Sequence, residues 1–363
     1  MNTTWRRFQY SLCFATLILT VLALSILPGH AQETPTNTVA EASAPTNGVQ
    51  RLDEVIVTAT RHEEKVLDLP YATERVPGAV LRREQMAASV PEALSETPGV
   101  LVQQTAHGQG SPYLRGFTGF RTVALVDGIR LNNSTFRDGP NQYWSTIDAL
   151  AITRLEVVKG PASVMYGSDA VGGTVNALMR GPRYGFGEGT LWSGATYYRF
   201  GSAERAHLGR GEFGAAERER WGFTLGFSGK TYGDVQGDDD VGRQPYTGYD
   251  QWDADAKVDY FLAPRTKLTL AYQRTEQDDV KRTHRTIYGL TWEGLTRGTD
   301  RQHLFDQTRQ LTYARLAHAT ERGDEFTATV SWHVHDELQF VARGHATRQE
   351  NDVNVDTLGL SLQ

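Results

Sequence analysis

From about Gly187 onward, apolar and polar residues alternate with a period of two. Trp221, Phe223, Leu225 and Phe227 interleave with Gly222, Thr224, Gly226 and Ser228. Trp252, Ala254, Ala256, Val258, Tyr260 and Leu262 interleave with mostly charged residues, and Leu268, Leu270 and Tyr272 continue the pattern. Phe326, Ala328, Val330, Trp332 and Val334 repeat it against Thr327, Thr329, Ser331 and His333. A period of two sends successive side chains to opposite faces of a strand. Some connections are tight (Ala263-Pro264-Arg265, and Glu321 to Asp324), whereas Tyr232 to Tyr249 and Glu276 to Asp306 are long and polar. Strands of about 10 residues with aromatic ends, joined alternately by short and long connections, predict an antiparallel transmembrane β-barrel. A soluble β-sandwich alternates too, but nothing obliges it to keep its long loops at one end.

Upstream, residues 61–183 show mixed periodicities that predict a compact α+β domain. Ser89-Val90-Pro91-Glu92 is a capping box with proline in the first turn, opening a helix that Pro98-Gly99 closes. Thr122 to Val126 and Ile129 to Leu131 flank Asp127-Gly128, the signature of a tight hairpin. Arg154 to Lys159 is strand-like, Gly160-Pro161 starts a short helix ended by Gly167, and Thr174 to Met179 returns as a strand.

The N-terminus reads as an export signal. Arg6 and Arg7 precede an apolar run from Ser11 to Leu27, and Gly29 and Ala31 supply small residues for cleavage after Ala31. Residues 1–31 are therefore expected to leave the mature chain, taking with them Cys13, the single cysteine. The exported protein then has no thiol chemistry, and its net charge becomes more negative than the −6 of the whole sequence. That balance argues against nucleic acid as a partner. Residues 32–52, rich in Pro, Thr, Ala and Asn, predict a flexible periplasmic linker.

Asp53-Glu54-Val55-Ile56-Val57-Thr58-Ala59-Thr60 follows, a strand-prone box on that tether. It is either a strand awaiting a partner chain, which would add to it by β-augmentation, or the first strand of the next domain.

These segments carry a resemblance. The box at 53–60 resembles the TonB box of TonB-dependent outer-membrane receptors, and residues 61–183 are similar to that family's plug domain. The matching stretches are Tyr113 to Phe117, Val123 to Arg130, Arg154 to Pro161 and Tyr166 to Asn176; at Ala177 to Arg180 the chain departs from the usual isoleucine and threonine. Residues 184–363 then resemble the N-terminal part of the family's 22-stranded barrel. The resemblance implies outer-membrane location in a Gram-negative bacterium, with plug and box facing the periplasm. It also implies uptake powered through TonB and its ExbB/ExbD complex, and no resident cofactor. An iron chelate (siderophore or haem) is the favoured cargo and vitamin B12 (cobalamin) the alternative. A non-transporting surface binder and a soluble plug-like binding protein are the other classes compatible with such a scaffold.

The same resemblance makes Asp53 to Thr60 the TonB-binding residues. It makes Arg115 and Arg154, with Glu156 beside them, a lock between plug and barrel, completed by barrel glutamates beyond residue 363; local pairing of Arg154 with Glu156 is the other reading. Cargo-facing candidates are Tyr113, Phe117, Arg121, Phe136, Arg137, Tyr143 and Trp144, since aromatics with arginine suit an anionic or aromatic chelate. The stretch from Phe136 to Trp144 would serve equally well as packing against the barrel wall. Asp234, Asp238, Asp239 and Asp240 offer oxygen ligands for calcium on a loop, against the plainer reading of a solvated acidic tip. His107 is a candidate ligand should the cargo be haem, and His333 and His335 would share one face of a strand. Gly167 to Thr174 has the glycine spacing of a phosphate loop, but Gly173 stands where the lysine is required, so no nucleotide is expected. No Ser/His/Asp set or carboxylate pair can be assembled from spacing, so nothing supports an enzyme.

Length gives a further expectation. A lumen wide enough for a plug takes about 22 strands, or roughly 200–240 residues before any loop, whereas residues 184–363 hold about eight. The chain is expected to be an N-terminal fragment or a truncated product.

Overall fold

The computed structural model describes residues 55–56, 64–65, 69, 71–133, 139–140, 143–185, 187–283, 285–289, 291, 296–322, 324–344 and 347–363. The export signal and linker fall outside them, as do Phe136, Arg137 and six of the eight box residues.

The first strands, β1 (Val55–Ile56) and β2 (Glu64–Lys65), pair antiparallel with Val55 opposite Lys65 and Ile56 opposite Glu64. The plug follows with β3 (Ala72–Pro77), β4 (Val100–Ala106), β5 (Gln109–Leu114), β6 (Thr122–Val126), β7 (Ile129–Arg130), β8 (Ile152–Lys159) and β9 (Gly173–Met179). Five of these form one sheet in the order β3-β8-β9-β6-β7, in which β6 and β9 run parallel; β4 and β5 form a separate hairpin. Asp127 and Gly128, with φ of 50° and 79°, make the expected tight turn between β6 and β7.

The capping box at Ser89 forms, with the Ser89 hydroxyl accepting from Glu92 N at 3.4 Å, but the helix runs only from Val90 to Ala93. Leu94 N bonds both Val90 O and Pro91 O, so the helix tightens at once instead of reaching Pro98. A helix at Gly78–Arg83 carries no comparable cap signal. Gly78 is required there, because a Cβ would stand 2.2 Å from the Ile152 carbonyl oxygen where the helix crosses β8.

The remaining strands form one antiparallel eight-stranded meander: β10 (Thr190–Gly201), β11 (Ala206–Glu217), β12 (Trp221–Tyr232), β13 (Tyr249–Ala263), β14 (Thr266–Lys281), β15 (Asp300–Ala319), β16 (Glu325–Arg343) and β17 (Thr347–Leu362). β14 and β15 extend to 16 and 20 residues, into the stretch expected to be a long loop. There polar residues stand on both faces, with only Val280 and Phe305 as buried apolar positions among the described residues, so little alternation betrays the strand. A register shift between Gln277 and Val280, with Asp279 at φ 59°, marks where the ladder is irregular.

One face of this sheet is apolar and exposed. Val258, Leu270, Ala314, Val330 and Leu360 lie in register across five strands, with Tyr260, Trp252, Tyr272 and Trp332 among the outward aromatics on either side of that row. Such a band with aromatic borders suits lipid. We expect Leu270→Arg to cost about 2–4 kcal/mol of folding stability in a bilayer if the row lies near its midplane. Urea titration of the receptor folded into vesicles would show it, and an unchanged midpoint would disprove a lipid-facing row.

The opposite face meets the plug. A single core combines plug residues Leu81, Leu94, Leu114, Val126, Leu155 and Val175 with wall residues Ala271, Leu311 and Tyr313.

Candidate functional site: the seam between plug and wall

Two plug aspartates hold the plug to the sheet. Asp148 caps the short 3-10 turn Ala149–Ala151, its Oδ1 accepting from Leu150 N at 3.0 Å. The same carboxylate meets Lys230 Nζ at 2.8 Å and Arg210 Nη1 at 3.3 Å, and accepts from Ser228 Oγ at 2.6 Å. All three wall residues are inward positions on β11 and β12, and all are buried. Burial by itself raises the Asp148 pKa, but Lys230 and Arg210 outweigh it and hold the carboxyl down at about 2.

The wall cations have further partners of their own. Lys230 also meets Asp253 at 3.0 Å, and Arg210 meets Asp255 and Glu212 at 2.8 Å each. Arg180, in the segment entering the wall, meets Glu212 at 2.5 Å. Lys230 and Arg210 therefore keep acid partners of their own, so loss of the Asp148 contact alone strands neither cation.

Asp127 forms the second attachment. Its Oδ1 accepts from Met179 N at 2.9 Å within the plug. Oδ2 takes Lys257 Nζ at 3.0 Å, Tyr313 OH at 3.0 Å and Gln273 Nε2 at 3.4 Å, and its carbonyl accepts from Arg315 Nη2 at 2.5 Å. The left-handed turn at Asp127-Gly128 aims these groups at three wall strands, β13, β14 and β15. A third contact comes from Arg309, which is 1% exposed and donates through Nε to Thr146 O at 2.9 Å.

The expected site residues are distributed differently. Arg154 bonds Glu156 at 2.7 Å, two residues away on β8, and Glu156 is buried. Arg115, at φ 51°, lies over Gly160 within the plug. Among the described residues, the plug-to-wall ion pairs join Asp148 and Asp127 to wall bases and Arg180 to the wall acid Glu212.

Tyr143 and Trp144 are both buried in the core shared with the wall, and Tyr143 meets the His335 ring edge-on at 4.6 Å. The adjacent Ser145 and Thr146 carbonyls bond wall residues Gln277 and Arg309, which draws the whole turn inward. Tyr113 donates to Gln103 at 2.8 Å, Phe117 packs on Gly172, and Arg121 lies 5.1 Å from the Phe120 ring, so these three contact their own plug.

The acidic loop does not gather into an ion site. Asp234 Oδ1 accepts from Thr247 N and Gly248 N, Asp238 accepts from Asp239 N, and no group of three candidate ligands occurs among the described residues. His107 sits at the β4–β5 tip, 5.0 Å from the Tyr232 ring and 5.7 Å from Tyr249; burial lowers its pKa, despite the opposing influence of Glu204. It docks the hairpin tip against the wall. His333 and His335 do share the inner face of β16, and both are buried.

Of the box, Val55 and Ile56 are described, and they already have a mate in β2. This strand is neither unpaired nor part of the plug's five-stranded sheet. The ladder is two residues long, which is marginal on its own.

Residues 65–174 match the family model for the TonB-dependent receptor plug domain. These residues are a TonB-dependent receptor plug domain. Among curated proteins, the chain is 33% identical over 152 residues to the vitamin B12 transporter BtuB of Vibrio vulnificus, an alignment covering 41% of this chain and 22% of that one. Against BtuB of Photobacterium profundum it is 30% identical over 169 residues, covering 45% and 27%. Among solved structures, the copper transporter OprC superposes with a TM-score of 0.62 at 19% identity, over 80% of this chain and 42% of that one. The siderophore receptor PirA from Acinetobacter baumannii superposes with a TM-score of 0.58 at 15% identity, over 79% and 44%. The chain thus spans less than half the length of the relatives it matches, and its sheet is a partial barrel relative to theirs.

The signal for Arg210, Lys230 and Lys257 was present in the alternation, since charged residues recur at the inward positions of β11 to β13, whereas Asp148 lies in a plug turn outside any such pattern. What periodicity could not supply is which plug residue each one faces.

Proposed function

We propose that this chain supplies the plug and first wall strands of a receptor that takes up a scarce chelated nutrient across the outer membrane. The cargo is an iron complex, siderophore or haem, and the energy comes from TonB with ExbB/ExbD. The carrying observation is the seam: a folded plug packs on the inner face of the sheet, held by buried charge contacts, and at Asp148 the wall cations keep other acid partners if the plug lets go. A permanent structural filler gains nothing from that arrangement, whereas a stopper that must move does. In this reading the short turns face the periplasm, the long loops face outward, and the outward apolar band faces outer-membrane lipid. Vitamin B12 is the second reading, favoured by the identity to BtuB.

The test is accumulation of labelled cargo by cells expressing the full receptor, with and without a proton ionophore. Uptake should stop while surface binding persists. Accumulation indifferent to the gradient would identify a non-transporting binder on this scaffold instead. Parallel runs with a ferric siderophore, haem and cyanocobalamin assign the cargo.

A further inference from the structure

A cavity of about 580 Å³ opens between the Gly78–Arg83 helix, the segment after β9 and the inner face of β10 to β12. That volume is in the range of small-molecule sites. Small side chains on the wall, Ser193 and Ala195, leave the space unfilled. Four guanidinium groups line it, those of Arg82, Arg154, Arg180 and Arg183, against two carboxylates, Asp127 and Glu212.

Both carboxylates are already committed. Asp127 is held by Lys257 and Tyr313, and Glu212 is shared by Arg180 and Arg210. Arg154 is satisfied by Glu156. Arg82 donates only to main-chain carbonyls, Ile152 O at 2.8 Å and Leu150 O at 3.5 Å. Among the described residues no carboxylate comes within ion-pair distance of Arg82 or Arg183, and Arg180 Nε is buried with no hydrogen-bond partner. Burial, reinforced by the neighbouring Arg180 cation, pushes the Arg82 pKa down to about 10. Arg82 and Arg183 are thus cations without an ion-pair partner among the described residues, and Arg180 keeps a spare donor, around a space that can hold an anion.

We propose that this cavity is an anion station on the seam, binding a small ligand that presents two or more carboxylate or phosphate oxygens to Arg82, Arg180 and Arg183. Planar guanidinium forks favour such oxygens by paired, charge-assisted bonds. The identity of the ligand as passing cargo rests on the uptake reading, and makes that cargo anionic; the binding itself does not.

The experiment is isothermal titration of sodium citrate into the purified full receptor in neutral detergent at low salt. A soluble short-chain phosphatidylglycerol serves as a second arm. One saturable citrate site is expected, weakened at least about tenfold by the double variant Arg82→Gln/Arg183→Gln and weakened by added salt. Because Arg82 also holds two carbonyls of the plug, Arg183→Gln alone, at an exposed position, provides a second variant that spares the fold. It should weaken binding by a factor of about three or more. Absence of saturable citrate binding overturns the proposal, as does an affinity that both variants leave unchanged. Phosphatidylglycerol bound more tightly than citrate at the same arginines also overturns it, assigning the site to lipid. Citrate binding by a receptor that accumulates no cargo would count against the uptake reading and leave the station standing.

Discussion

Asp148→Ala is expected to loosen the plug from the wall by about 3 kcal/mol, the lower end of the range for removing one member of a buried ion pair. The lower end applies because Lys230 keeps Asp253 and Arg210 keeps Asp255 and Glu212. What is lost is the Ser228 bond, the cap on Leu150 N and the shared attraction to two cations. A difference of that size raises the population of the open plug by about a hundredfold, at 1.4 kcal/mol per factor of ten. Hydrogen exchange at plug amides in the full receptor measures it. Lys230→Met should be worse, since it leaves two buried carboxylates, Asp148 and Asp253, facing each other. Equal protection in wild type and Asp148→Ala would show that the apolar core alone holds the plug.

The same attachment has a defined pH dependence. The Asp148 carboxyl is held at about 2, below its ordinary value near 4. Its contribution is therefore fully present above pH ~4 and disappears as pH falls toward 2. Across neutral pH the Asp148 contact is constant, so mild acidification is expected to leave it intact.

Ile56→Pro carries the second large effect. Proline removes a main-chain donor and fixes the local backbone in a strand whose partner would be another chain. Losing one ladder bond of about 1–1.5 kcal/mol weakens pairing with TonB by about tenfold. Energised uptake should fall toward the level seen with the gradient collapsed, with cargo binding at the outer face unchanged. The pairing of Val55 and Ile56 with Lys65 and Glu64 adds a condition: TonB must either displace β2 or extend the sheet from its other edge. Joining positions 55 and 65 by a disulfide in a Val55→Cys/Lys65→Cys receptor separates the two routes, since only displacement is blocked. Undiminished uptake by Ile56→Pro would refute strand addition altogether.

Much of this architecture was legible before any coordinates. The alternation from Trp221 to Phe227 and from Trp252 to Leu262 is enforced by a sheet with lipid on one side and plug on the other, so each residue reports its face. Asp127-Gly128 announced its turn because few other pairs tolerate positive φ at both positions. The long polar stretches of β14 and β15 went unread for the converse reason: where the buried face is itself built mainly of polar residues such as Thr275, Gln277 and Gln307, strand and loop have the same composition. The four-residue helix at Val90 was overestimated because a capping box specifies where a helix starts and says nothing of how far it runs.

The plug motifs, the strands and turns from Thr122 to Met179, and the faces of the alternating wall strands follow from the sequence by itself, whereas β3, β4, β5 and the Gly78–Arg83 helix do not. The former depend on local periodicity and turn chemistry, which act over a few residues. Which charges meet was decided only by the tertiary structure. Asp148 and Lys230 are 82 positions apart, and Asp127 reaches Lys257 and Tyr313 across still longer separations. Arg154, the residue that looked like a lock, had an acid two positions away on its own strand. Ion pairing is a matter of distance in space, and only packing the plug against the wall sets that distance.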